Sequence, residues 1–465
     1  MSSPFFLPRH RARVFLFAFA ILSFFLVLRT HFVNNANSDV SDGIGVSQTL
    51  GDQSDSEPQM PCRTLPGAKD ILVVLKTGAT EASEKLPIHF NTTFLCTPNF
   101  VLFSDLEQEI EGHTVHDVLN ETDPSLRVEH GDFELYRQLQ KWSEDGSSEF
   151  PKDGDTRKHA WNLDKYKFLP LMKKALETQP TAKWFVFIEA DTYLVWSNLL
   201  AWLQHFDPSK PLYIGETNCC LLHVLANLHS GGQSYIRGTW FAHGGTGFVV
   251  SNKALNMIVK EYKSKTERYN ELTKMEWAGD FILAKAFKNI DIPLTKSFPI
   301  LQGETPDTLD YTEHHYCWPV VSYHHMPPEW IENMWHYEQA WLNDNATSKS
   351  PLCHHHVFKH FIEPQLVVEE RPDWDNMAGD AEPEAVQSAE ACRQVCESQS
   401  DCLTWVYVDP AWICKTANVV RLGEAKPSDG SQTTTSGWML SRIHDAVARM
   451  GEQCTGDGSE RFDLS

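Results

Sequence analysis

The sequence predicts an α/β fold on a mostly parallel sheet, followed by a small disulfide-rich α+β module. Three observations predict it. Short apolar strands alternate with helix-patterned segments from residue 70 onward, the pattern of parallel strands joined by helical crossovers. Polar clusters directly follow three of those strands, where the ligands of such sheets bind. A compact run of cysteines follows an acidic, proline-containing stretch near the C-terminus.

The strands can be placed in order. Residues 70–75 form a buried strand ending in Lys76-Thr77-Gly78, and 100–103 form a second ending in Ser104-Asp105. Between Asp164 and Glu177, Tyr166, Leu169, Met172 and Leu176 recur at helical spacing until Pro180 stops the pattern. Residues 184–188 are a third strand, running straight into Glu189-Ala190-Asp191. A helix over 196–206 and a fourth strand over 212–214, ending at Gly215, come next. His243-Gly244-Gly245-Thr246-Gly247 is a glycine-rich turn into an apolar strand, after which Ser251 caps a helix. Gly279-Asp280 opens a further helical pattern with Phe281, Leu283, Ala284 and Phe287.

At the N-terminus, Arg9, Arg11 and Arg13 precede an apolar run from Val14 to Leu28, broken only by Ser23 and closed by Arg29. The run is short against the roughly 17–25 residues that span a bilayer, so it also fits a cleaved signal peptide. No small-x-small cleavage site follows, which favours a signal anchor. Residues 1–13 are then a cytosolic tail, 14–33 the transmembrane segment, and the rest lumenal. This is a type II arrangement of the Golgi or another secretory-pathway membrane. Residues 34–61 are polar and too poor in apolar groups to fold, and form a flexible stem. The main domain occupies 62–363, a linker 364–384, the cysteine module 385–442 and a tail 443–465.

Acidic residues exceed basic ones by 62 to 40, a formal charge of -22. Such a surface repels phosphate backbones and excludes nucleic acid as a partner. A nucleotide ligand would need a local cation. Three sequons, at Asn91, Asn120 and Asn345, accompany the cysteines, and together they point to an oxidising lumen.

An acid-x-Asp triplet at a strand end suits a hard divalent cation, which takes carboxylate and phosphate oxygens as ligands. Two carboxylates two residues apart on extended chain point the same way. Asp191 is the direct ligand in this reading, and Glu189 holds ribose or orients the metal through water. Gly244 and Gly245 permit close approach of backbone to a ligand. Asp280 fits either a helix cap or a general base. His324, after Val320 and Val321, offers an imidazole that completes an oxygen-rich site for manganese. The runs His314-His315 and His354–His356 do not converge easily on one ion, and read as core or surface residues.

The order of these motifs resembles the β1,3-glycosyltransferases of the core 1 galactosyltransferase and Fringe group, over about residues 65–340. The motifs are Lys76-Thr77-Gly78, Ser104-Asp105, Asp164-Lys165-Tyr166-Lys167, Trp184 to Tyr193, Gly244 to Phe248, Gly279-Asp280 and Tyr323-His324. The most specific stretch matches W-F-x-x-x-D-D-D-T-Y-x-x-x-x-N-L through Asn198 and Leu199. The resemblance implies a GT-A fold and an inverting transfer from a UDP-sugar, UDP-galactose foremost, to a glycan or glycoprotein acceptor, with Mn2+ as cofactor. It implies Asp191 and His324 as metal ligands and Asp280 as base. Thr77 and Gly78 would be the uridine-contacting turn, Asp105 would lie near the nucleotide, and Lys165 would belong to the donor-binding set. Two positions depart from the pattern: Glu189-Ala190-Asp191 stands for three aspartates, and Gly279-Asp280 for an acidic pair. Each keeps the last carboxylate. The missing carboxylates motivate a second reading, a non-catalytic glycan- or protein-binding membrane protein of the same fold.

The cysteine module resembles a PAN/apple domain, from its cysteine spacing and Trp405-Val406-Tyr407. Such modules bind protein or carbohydrate. Cys392, Cys396, Cys402 and Cys414 then pair internally. Position alone suggests Cys62 with Cys96 and Cys317 with Cys353.

Overall fold

Nearly every residue of the first and fifth strands is apolar and buried, as required of strands covered on both faces by helices. The computed structural model describes residues 60–146, 150, 155–217, 235–344, 350–379, 384–456 and 458–462. The anchor, nearly all of the stem, Cys219, Cys220 and the Asn345 sequon lie outside the described residues. Among those described, no helix is long and apolar enough to cross a membrane.

The first twelve strands, in chain order, are β1 (Ile71–Lys76), β2 (Phe100–Ser104), β3 (Gln108–Ile110), β4 (His113–Asp117), β5 (Trp184–Glu189), β6 (Tyr193–Leu194), β7 (Tyr213–Gly215), β8 (Tyr235–Ile236), β9 (Thr239–Trp240), β10 (Phe248–Ser251), β11 (Leu294–Lys296) and β12 (Ser322–Tyr323). Eight of them form the central sheet in the order β11-β7-β10-β5-β1-β2-β4-β3. β10 runs against β5 and β7, and the edge strand β3 against β4. The other pairings are parallel, so the expected α/β class with a mostly parallel sheet is the one observed. Strand alternation divides β1 between two cores: Leu72 and Val74 face one, Ile71, Val73 and Leu75 the other. Helices Phe168–Thr178, Asn252–Ser264 and Gly279–Lys288 close the first core, and Trp196–Leu203 closes the second. Ser251 caps its helix as its position suggested, its Oγ accepting the Ala254 N–H at 3.2 Å.

A second sheet follows, from β13 (Glu370–Pro372), β15 (Glu384–Ala385), β16 (Thr404–Asp409), β17 (Ile413–Ala417) and β19 (Thr433–Trp438); β14 (Trp374–Asp375) pairs separately with β18 (Glu424–Ala425). Its order is β13-β19-β16-β17-β15, and its pairings are antiparallel. Helix Ala389–Ser398 is tied to it by the disulfide Cys392–Cys414, while Cys396–Cys402 pins the helix end. The sheet thus takes in residues 370–372 from the stretch read as linker. Helix Leu440–Glu452 runs on into the stretch read as tail, burying Ile443, Ala446 and Met450.

Those three side chains join Tyr193, Val195, Tyr323 and Met326 in a third core. Packing there brings Cys454 to Cys317, and these two form a disulfide. The expected bond between Cys317 and Cys353 is therefore corrected: an amphipathic helix carries a cysteine from far along the chain to Cys317. Cys353 instead is buried at the start of helix His354–Val357. The Cys62–Cys96 bond is present as expected.

Candidate active site

The carboxyl ends of β1 and β5 lie side by side, Lys76 in register with Glu189. β10 runs back along β5, so the glycine-rich turn before it meets the same end of the sheet. A cleft of about 1180 Å3 opens there. It is lined by Thr77, Gly78, Lys165, Glu189, Asp191, Gly244, Gly245, Asp280 and His324. Of the residues singled out from the sequence, Asp105 alone lies off its wall. That carboxylate is 1% exposed, and it accepts the Ala79 N–H at 2.7 Å and meets Lys167 Nζ at 2.9 Å. Lys167 Nζ also donates to Thr77 O at 2.9 Å, so Asp105 holds the Thr77-Gly78 turn from behind.

The triplet does not continue as extended chain. β5 stops at Glu189, and a turn follows, closed by the Thr192 N–H donating to Glu189 O at 3.0 Å. Thr192 Oγ1 fixes the turn by donating to Gly245 O at 2.7 Å. The two carboxylates therefore diverge, contrary to the expectation from strand geometry. Glu189 pairs with the buried Lys76 at 3.1 Å, and Asp191 pairs with Lys85 at 3.1 Å. Ala190 points into the second core and is 3% exposed, so a carboxylate there would be desolvated.

β12 brings the histidine. Its antiparallel pairing with β6 sets Tyr323 opposite Tyr193, and the Met326 N–H donates to Asp191 O at 2.9 Å. His324 Nε2 thereby stands 3.4 Å from Asp191 Oδ1. Ligand atoms of Asp191, His324 and His325 all lie within 4.8 Å of one another. Nε2 is the His324 ring nitrogen next to Asp191, while Nδ1 is buried with no hydrogen-bond partner among the described residues. A carboxylate with imidazole nitrogens fits Mn2+, which accepts both oxygen and nitrogen. Burial would raise the Asp191 pKa, but His324 and Lys85 outweigh it and hold the carboxyl well below the usual range. Gly245 is sterically required: a Cβ there would come within 2.1 Å of the His324 ring.

Asp280 lies in the first turn of helix Gly279–Lys288, whose cap position is Ala278. It is therefore not the cap. Its Oδ2 accepts the Gly244 N–H at 3.2 Å and its Oδ1 the Phe281 N–H at 2.7 Å. Burial pushes its pKa up to about 6; the two N–H groups pull the other way, and nearby Glu189 adds to the rise. The departure at Gly279 has a steric reason, since a Cβ there would meet the Phe168 ring at 2.2 Å.

Several cleft residues were given no role from the sequence. Lys76 pairs with Asp164 at 2.6 Å as well as with Glu189. Burial opposes its charge, but the two carboxylates raise its pKa above the ordinary lysine value. Asp164 and Lys167 flank Lys165 in the quoted cluster, yet they, at 3.4 Å from each other, complete the network under the turn. Lys165 itself pairs with Asp132 at 2.9 Å and donates to Glu276 O at 3.3 Å. His243, beside His324 with 5.4 Å between ring centroids, is kept neutral: burial, then the neighbouring His324, lowers its pKa to about 3. Lys85 carried no signal, because only the fold brings it to Asp191.

A model of the Fringe-like family matches residues 67–335. A human protein named beta-1,3-glucosyltransferase is 28% identical over 148 residues, 32% of this chain and 25% of the relative. The chain thus aligns with about a quarter of that relative's length. Among solved structures, a glycosyltransferase involved in the glycosylation of the major capsid of PBCV-1 matches 57% of this chain and 98% of its own, at 13% identity and a TM-score of 0.27. The galactosyltransferase LgtC, in complex with donor and acceptor sugar analogs, matches 58% of this chain and 95% of its own, at 12% identity and a TM-score of 0.32.

Proposed function

The chain belongs to the Fringe-like family of glycosyltransferases, and on that premise we propose that it is an inverting transferase forming β1,3 linkages from a UDP-sugar. The acceptor is a glycan or glycoprotein. Galactose is the first candidate donor sugar, and glucose, from the name of the human relative, is the next. One observation carries the reading: Asp191, His324 and Asp280 all line a single cleft.

Ionised Asp280 takes the proton from an acceptor hydroxyl. That oxygen bonds to the anomeric carbon while the bond from carbon to the diphosphate oxygen breaks, and UDP departs with the electron pair. The Gly244 and Phe281 N–H groups hold the carboxylate in place for this. Asp191 and His324, with His325 in reach, would hold Mn2+, which supplies positive charge to the leaving diphosphate. Lys76, Asp164, Lys167 and Asp105 keep the Thr77-Gly78 turn in position for the uridine.

Residence as a type II protein of a secretory membrane, the Golgi first, is part of this proposal. Four disulfides support an oxidising compartment. The C-terminal sheet with its two internal disulfides is proposed to be a PAN/apple-like module that contacts acceptor protein or glycan. The reading is tested by measuring UDP binding and UDP release together. Asp280→Asn should keep Mn2+-dependent UDP binding and lose transfer; undiminished transfer would move the base elsewhere. Asp191→Ala should lose both.

A further inference from the structure

Two indole rings line the cleft without a part in the groups described so far. Trp161 sits in helix Thr156–Asp164, three residues before the Asp164 that pairs with Lys76. Trp277 sits three residues before Asp280. Their rings stack with centroids 6.2 Å apart and planes at 23°. Buried Phe241 meets Trp277 nearly edge-on, at 6.4 Å and 78°, so the pair is braced from within. Even so, Trp161 is 55% exposed and Trp277 44%. Two adjoining tryptophans left open to water in a ligand cleft mark a surface that a ligand completes.

An indole face suits one class of ligand in such a place. A pyranose ring carries C–H bonds on its faces and hydroxyls around its edge. The electron-rich indole face attracts the C–H groups, while the indole N–H stays at the wet border. A centroid separation of 6.2 Å is already that of an offset-stacked aromatic pair, so a sugar rests on an outer face and not between the rings.

We infer that Trp161 and Trp277 form a platform for the acceptor sugar, seating a pyranose ring so that its hydroxyl reaches Asp280. This rests on the reading of the cleft as a transferase site. The other ligand with a flat ring is the uracil of the donor. Trp277 lies beside the base in sequence, whereas the turn read as uridine-contacting is Thr77-Gly78, on a different element; this favours the acceptor. Arg157 and Lys158, on the helix of Trp161 and lining the same cleft, offer donors to sugar hydroxyls.

The test uses the full chain with UDP and Mn2+, and a panel of methyl glycosides: β-galactoside, β-glucoside, α-fucoside and α-N-acetylgalactosaminide. Saturation-transfer NMR should show at least one glycoside binding through its C–H face. Trp277→Ala and Trp161→Ala should each weaken it by about tenfold or more, with partial recovery in Trp277→Phe. UDP affinity should stay within about twofold of wild type, and because both side chains are exposed, melting temperatures should barely move. Loss of UDP affinity in the tryptophan variants would seat uracil on the platform and overturn the inference. So would a panel in which no glycoside responds to either substitution. Wild-type protein that binds a glycoside through these tryptophans but no UDP would instead contradict the transferase reading and leave the platform standing.

Discussion

Asp280 holds a carboxyl whose pKa is raised to about 6 by burial. A group raised in the folded state favours folding below its unfolded pKa, near 4, and loses that contribution as pH rises through 6. At neutral pH the ionised carboxylate therefore costs the fold roughly 1–3 kcal/mol, allowing for its partial exposure. Asp280→Asn should be more stable than wild type by that amount at pH 7.5, and the gain should vanish near pH 4. Urea unfolding at the two pH values measures it; equal stability at both would mean the carboxyl titrates normally. The same pKa makes transfer fall off as pH drops through about 6. Lys85 gives a second residue-scale expectation. It shares Asp191 with any bound cation, so Lys85→Met should tighten Mn2+ binding by about tenfold in titration calorimetry; unchanged affinity would show that the ammonium does not compete. Asp191 and Asp280 were visible in the sequence because one closely follows a buried strand and the other lies in the first turn of a helix. Lys85 was not, since 106 residues separate it from its partner.

Among the elements, β1, β2, β5 and β7 were legible because a short, continuous apolar run bounded by polar residues fits a buried strand and little else. β6 and β12 were not, being two residues each, though their pairing delivers His324 to Asp191. The reversal of β10 was also hidden, because strand direction is set by where the chain re-enters the sheet. The divergence of Glu189 from Asp191 follows from a turn fixed by the Thr192 hydroxyl donating to Gly245 O, 53 residues away. The closeness of Gly245 to the His324 ring gives an element-scale prediction. Gly245→Ala should leave the fold intact but displace His324, weakening Mn2+-dependent UDP binding by about tenfold or more. Calorimetric UDP titration with Mn2+ and with EDTA measures it; wild-type affinity would mean that the ring moves aside freely.

The third core joins residues around Asp191 and His324 to the C-terminal helix. It gathers Tyr193 and Tyr323, on the two strands next to Asp191 and His324, into one cluster with side chains of the C-terminal helix. Arg421 of the C-terminal region pairs with Asp310, and the Tyr311 N–H donates to Val420 O at 3.0 Å. The C-terminal sheet and helix thus brace the stretch leading to His324. Residues 443–465 looked like a tail because the charged face of helix Leu440–Glu452 hides the spacing of Ile443, Ala446 and Met450. The Cys317–Cys454 bond closes a loop of 137 residues, so Cys454→Ser should lower stability by about 2–4 kcal/mol in denaturant unfolding. A loss near zero would mean that packing alone holds the helix. The most direct measurement is UDP release from a panel of UDP-sugars, with Mn2+ and with EDTA, for wild type and Asp280→Asn. Release by wild type from UDP-galactose or UDP-glucose, dependent on Mn2+ and an acceptor and lost in Asp280→Asn, is the predicted result. Mn2+-independent release, or equal release by the two proteins, would contradict it.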